Sequence, residues 1–421
     1  MIQIKRNILL TTKLLLIAIL VASCATSTKT SKDKDKDKKK NYPSYLHEIQ
    51  GLVIEEHEAD WYREQYEGWL EQAEKNPKDE YAWRNCFRAK DYEIRYSNNY
   101  NYNYANSVKR GLLEKMGKSI PDTYTYYICA SQVFQNDQQG GITYAHKAYE
   151  LIPKNKSLFD YDHWFYFLKT YGDKNDFSNF AKDYYDSGLY SEELLQFNLN
   201  ELNCMENDGI FVGEGDASVG PKWLLQEGKG IHRDKLVICY SYMAIPEYCQ
   251  SIYKELGIGD APVLPEPKGY EDYERNRQYL INDIVVKSGR KLYFSKYNPD
   301  YCYTFWNNRG SLYDIGLIYQ DSPDGPIDIY KEQERFFNST DFSYLDKPLK
   351  KDAWAADCRS SSYMPSCFWQ LMLKYKEDGD TANYQKIHKM MEKAVNRIPD
   401  KKIREMGQKY LDFNDHPYAS Q

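Results

Sequence analysis

The sequence predicts an α+β fold that is mainly α, with paired helices on either side of a small α/β module built on a parallel sheet. Three observations predict it. Over residues 44–205, apolar side chains recur at three- and four-residue intervals, broken by Asn, Pro, Gly and Asp. Over residues 206–330, short apolar runs alternate with helical stretches, as in strand–helix–strand units. Over residues 331–421 the helical period returns and closes in a helix pair.

The chain opens with Lys5 and Arg6, followed by an apolar stretch from Leu14 to Ala22. That stretch is too short for a bilayer core of about 30 Å, which takes roughly 20 residues. Residues 1–23 therefore read as an export signal. Leu20-Val21-Ala22-Ser23-Cys24 resembles a bacterial lipobox. The resemblance implies acylation of Cys24 after cleavage before it, and several acyl chains give stable anchoring where one does not. Ala25, where an Asp would alter sorting, leans towards the outer membrane, with the body facing either the periplasm or the outside. Residues 24–43, with the Lys/Asp run from Lys32 to Lys40, have almost nothing apolar to bury and form a solvated tether.

Trp61, Tyr66, Trp69, Leu70 and Ala73 give one apolar helix face, which stops at Asn76-Pro77-Lys78-Asp79. The next helix starts at Tyr81. Tyr144-Ala145-His146-Lys147-Ala148-Tyr149 runs into Leu151-Ile152-Pro153, and Met391 to Asp400 repeats the same ending after a turn at Gly379-Asp380. Small residues let paired helices approach, and the proline ends the second one. These segments resemble tetratricopeptide repeats with a loose period, which implies a concave face for partners. Residues 92–104 interleave Asn and Tyr. Tyr96, Tyr100, Tyr102 and Tyr104 are candidate ligand-stacking residues, or else belong to helices flanking a polar loop.

In the middle segment, strands are expected at 209–213, 235–240, 291–295 and 312–319, with helices at 221–227, 246–256 and 270–286. Glu214 and Asp216 follow the first strand, where α/β folds place ligands, and are candidate binding residues. The surrounding glycines lack the Lys-Ser/Thr of a phosphate loop and the third glycine of a dinucleotide fingerprint.

The formal charge of -6 is uneven: residues 1–40 carry ten Lys/Arg and three Asp, or +7, which leaves -13 on the rest. A body this acidic disfavours nucleic acid. Neither the spacing of the nine Cys nor that of the seven His suggests a metal, a cofactor or a nucleophile–base pair. The eight Cys after Cys24 are buried thiols or bridges, with Cys358 and Cys367 the pair expected first. His163 is expected to be a packed helix residue rather than a base.

The run Gly215-Asp216-Ala217-Ser218-Val219-Gly220-Pro221-Lys222-Trp223-Leu224-Leu225-Gln226-Glu227, then Gly230 to Val237, Tyr293-Phe294-Ser295 and Gly316-Leu317, resembles the soluble C-terminal module of glycosyltransferase-C-like membrane proteins described as possible protein O-mannosyltransferases. The resemblance covers residues 205–400 and implies a shared module fold. It implies no activity, because Ser218 stands where the motif has its second acid and the membrane half is missing.

The function expected from these readings is a lipid-anchored, non-enzymatic scaffold that holds an envelope protein through its helical repeats. The alternative is a glycan-binding outer-membrane lipoprotein that uses tyrosine-rich surfaces, supported by 41 Tyr in the chain.

Overall fold

The computed structural model describes residues 42–97, 101–134, 138–153, 160–172, 174–214, 216–296, 312–347, 366–398 and 401–412. Residues 1–46 and 47–421 are separate units, and every helix and strand named below belongs to the second. The α+β, mainly α class holds: among the described residues, helices dominate and surround one five-stranded sheet.

Eight helices come first: α1 (Ala59–Lys75), α2 (Glu80–Tyr96), α3 (Tyr102–Ser119), α4 (Tyr124–Val133), α5 (Gln138–Glu150), α6 (Tyr161–Tyr171), α7 (Lys174–Ser187) and α8 (Glu192–Asn203). The punctuation residues act as caps. Asp79, Asn101, Thr123, Asp160 and Ser191 each accept a backbone N–H from three residues on, at 3.0–3.3 Å, which satisfies a donor left open in the first turn. Neighbours pack as α1 on α2, α4 on α5 and α6 on α7. Helix α2 is buried nearly all round, with Trp83 and Phe87 in the interior.

The sheet holds β1 (Ile210–Gly213), β2 (Leu236–Cys239), β3 (Leu292–Ser295), β4 (Leu312–Asp314) and β5 (Ile318–Asp321) in the order β2-β1-β3-β5-β4. The expected parallel core is present: β1 pairs with β2 and β3 in parallel, Phe211 opposite Val237 and Tyr293. All three strands are buried along their length, as parallel strands covered on both faces are. The sheet as a whole is mixed, however. The strand expected at 312–319 is two strands, β4 and β5, which pair antiparallel with each other while β5 pairs antiparallel with β3. Gly316, at φ +120°, allows the reversal, and a Cβ there would meet the Phe368 ring at 2.8 Å.

Between the strands lie α9 (Asp216–Lys229), α10 (Pro246–Leu256) and α11 (Tyr270–Ser288); α12 (Ile329–Ser339), α13 (Trp369–Glu377), α14 (Thr381–Arg397) and α15 (Lys401–Asp412) come after the sheet. Helix α9 joins the two halves, packing on α7 and α8 on one side and on β1 and β2 on the other. Trp223 is buried beneath it and donates its indole N–H to the Val237 carbonyl at 2.9 Å. On the same helix Lys222 is fully buried, with Nζ donating to Glu201 at 2.5 Å, to Asn198 at 2.6 Å and to the Ser218 carbonyl at 2.8 Å. All three ammonium protons thus have acceptors, as a charge buried this deeply requires.

Candidate functional site

The residues singled out in the sequence do not gather in one place. Glu214 is half-buried just beyond β1, with its carbonyl accepting the Ser218 hydroxyl at 2.8 Å. Asp216 begins α9, and its side chain lies outside the described residues. Tyr96 closes α2 and stacks on the buried Tyr62, with ring centroids 5.8 Å apart. Tyr102 and Tyr104 lie in the first turn of α3 and are exposed. These tyrosines therefore sit on helices flanking a polar connection, while Tyr100 lies outside the described residues. Cys24 and Cys358 also lie outside them; Cys367 is buried. Cys86, Cys129, Cys204 and Cys249 are buried free thiols, and burial pushes the Cys249 thiol up to about 12. Among the described residues no group of metal-ligating side chains assembles, and no helix is long and apolar enough to cross a membrane.

A cluster that the sequence reading missed does assemble. A cleft of about 400 Å³ opens between α2, α3, α4, α5 and α6. Its charged wall carries Arg88, Asp91 and Arg95 from α2, Lys109 from α3, and Asp160 and Asp162 at the start of α6. These groups hold one another. Arg88 pairs with Asp160 at 2.7 Å and also donates to the Ile49 carbonyl at 2.9 Å. Asp91 takes Arg95 on one oxygen at 2.8 Å and Lys109 on the other at 3.0 Å. Asp162 accepts the Tyr184 hydroxyl, and a Cβ on Gly51 would collide with its other oxygen.

The electrostatics follow from burial and pairing. Burial raises the Asp160 carboxyl, but Arg88 and Arg84 more than offset this and hold it down to about 2. Burial pushes Asp162 above the ordinary carboxylate range, against the hydrogen bond from Tyr184. Burial lowers His163, which favours the neutral ring. Five half-buried rings, Tyr92, Tyr166, Phe167, Tyr171 and Tyr242, line the rest of the cleft.

Ser131 Oγ lies 3.3 Å from His163 Nε2, which brings a hydroxyl, an imidazole and two carboxylates into one wall. Their orientation does not form a proton relay. The Ser131 hydroxyl donates to the Ile128 carbonyl at 2.7 Å. Asp160 takes the backbone N–H of His163 on one oxygen at 3.3 Å and the Arg88 guanidinium on the other at 2.7 Å, and neither contact is to the imidazole.

A signal for this wall exists in the sequence. Arg84, Arg88, Asp91 and Arg95 recur at intervals of four, three and four, so one stripe of α2 is charged while its neighbours Trp83 and Phe87 are core. The partners on α3 and α6 are distant in sequence and carry no such pattern.

Comparison with family models, curated proteins and solved structures finds no match to this chain.

Proposed function

We propose that the chain is a lipid-anchored envelope protein that works by binding, and that the cleft between α2 and α6 is its binding site. One observation carries this reading: cations and carboxylates from several helices converge on one open space of about 400 Å³, within the range of ligand sites, about 300–1,000 Å³. Charged side chains in a helical interior are costly to bury, and the fold spends them around a cavity instead of filling it with apolar side chains. The placement of Ser131, His163 and Asp160 favours binding over turnover, since the hydroxyl proton is directed away from the imidazole. Acylation at Cys24 would hold the cleft near the outer membrane, with residues 24–43 as the tether.

The test is affinity capture from solubilised envelopes with tagged wild type and with an Arg95→Met/Lys109→Met variant. Material retained by the wild type and lost by the variant is the expected result. Equal recovery by both would remove the cleft as the site.

A second reading, a scaffold for a protein partner, draws on a different observation. Val263 is 99% exposed, and Tyr270, which opens α11 seven residues later, is 76% exposed. Exposed apolar side chains of this size mark contact surfaces when they cluster. In-cell crosslinking of Val263→Ser/Tyr270→Ser against wild type tests it: a protein adduct that survives the substitutions argues against that surface.

A further inference from the structure

Resting on the binding reading of the cleft, we infer that its ligand is a neutral saccharide segment. Charge balance points there first. The wall holds three cations, Arg88, Arg95 and Lys109, against three carboxylates, Asp91, Asp160 and Asp162, and the His163 ring is disposed to be neutral. A phosphate or polyanion calls for surplus cations and a polyamine for surplus carboxylates; this wall offers neither. It offers strong donors beside strong acceptors, and a hydroxyl uses both at once.

The aromatic lining points the same way. Tyr92, Tyr166, Phe167, Tyr171 and Tyr242 bring aromatic rings to the same space. Phe167 is already held in place, stacked on His163 with centroids 6.4 Å apart and tilted against Tyr171 at 5.4 Å. A sugar ring has an apolar C–H face and a rim of hydroxyls, and a cleft lined by both aromatic rings and charged groups suits the two. Size narrows the choice further: a space of about 400 Å³ is at the low end for ligand sites and is too small for an α-helix, about 10 Å across with its side chains.

The experiment is isothermal titration of the purified chain with a panel of neutral di- and trisaccharides, one acidic trisaccharide and a mixed-charge tetrapeptide. At least one neutral saccharide is expected to bind at one site. Its affinity should change less than about twofold between about 0.05 and 0.5 M salt, since no net charge is neutralised. Phe167→Ala should weaken it by roughly tenfold, the effect of losing a stacked aromatic. Gln132→Ala takes only an amide from the cleft wall; it serves if the Phe167 variant fails to fold and should weaken binding several-fold. Strongly salt-dependent binding, or binding of only the peptide or the acidic sugar, overturns the saccharide inference and leaves the binding reading in place. Silence across the panel, together with envelope capture unchanged by Arg95→Met/Lys109→Met, overturns both.

Discussion

Arg88 on α2 and Asp160 at the head of α6 meet at 2.7 Å, their side chains only 10% and 5% exposed. Asp160 also caps α6 through the His163 N–H, so one carboxylate both starts a helix and fixes its position against α2. Removing either partner leaves a buried charge without its counter-ion. Arg88→Met and Asp160→Asn are each expected to cost roughly 3–5 kcal/mol. The double variant should cost much less than their sum, because no charge is then stranded. Urea unfolding of the four proteins measures the coupling, and additive losses would show that the pair is not energetically joined.

The same carboxylate sets a pH dependence. With its folded pKa held near 2, below the ordinary 3.8, Asp160 stabilises the fold fully above the ordinary value and loses that contribution as pH falls from about 5 towards 2. The shift corresponds to roughly 2 kcal/mol. His163, lowered by burial, loses stabilising effect in the same direction, as pH falls through its ordinary 6.5. Asp162, raised by burial, opposes both and favours the acid side. The difference between wild type and Asp160→Asn isolates the Asp160 contribution: it should shrink with falling pH below 5, and a constant difference would contradict the assignment.

In the sheet, Gly316 reverses the chain between β4 and β5 at φ +120°, with its N–H donating to Asp314 at 3.0 Å. Gly316→Ala adds a methyl in a backbone region that side chains avoid, 2.8 Å from Phe368. A loss of about 1–3 kcal/mol is expected from the backbone alone. An unfolding midpoint equal to wild type would show that the hairpin is not built as described.

The proposed anchoring is separable from the fold. Cys24→Ser removes the thiol that acylation needs, so the chain should leave the membrane pellet after cell fractionation while the body still folds. Persistent membrane association after alkaline wash would point to another anchor.

Much of the fold is legible in the sequence because it rests on local chemistry. Asn76-Pro77-Lys78-Asp79 separates α1 from α2, and Asp79 caps the second helix. Pro246 at the first position of α10 and Gly257 in the left-handed region after it frame a helix whose bounds match the sequence reading. Helix α9 departs from its expected start for a related reason. Pro221 suits an opening turn, yet it lies inside a helix that starts at Asp216, where it forgoes one backbone hydrogen bond. The β4–β5 hairpin reads as one strand because the Ile-Gly-Leu of the turn is apolar and shows no polar turn signal. The cleft is hidden in the sequence because its charges meet only in three dimensions: nothing adjacent to Lys109 or Asp160 along the chain says that both face α2.

The most direct test of the binding claim is a photo-crosslinking residue at Gln132, on the cleft wall, in intact cells. With the same probe at Tyr270 as a control, the account predicts an adduct of one discrete mass from position 132 that is lost in Arg95→Met/Lys109→Met. Adducts that form only from position 270, or that survive the double substitution, would contradict it.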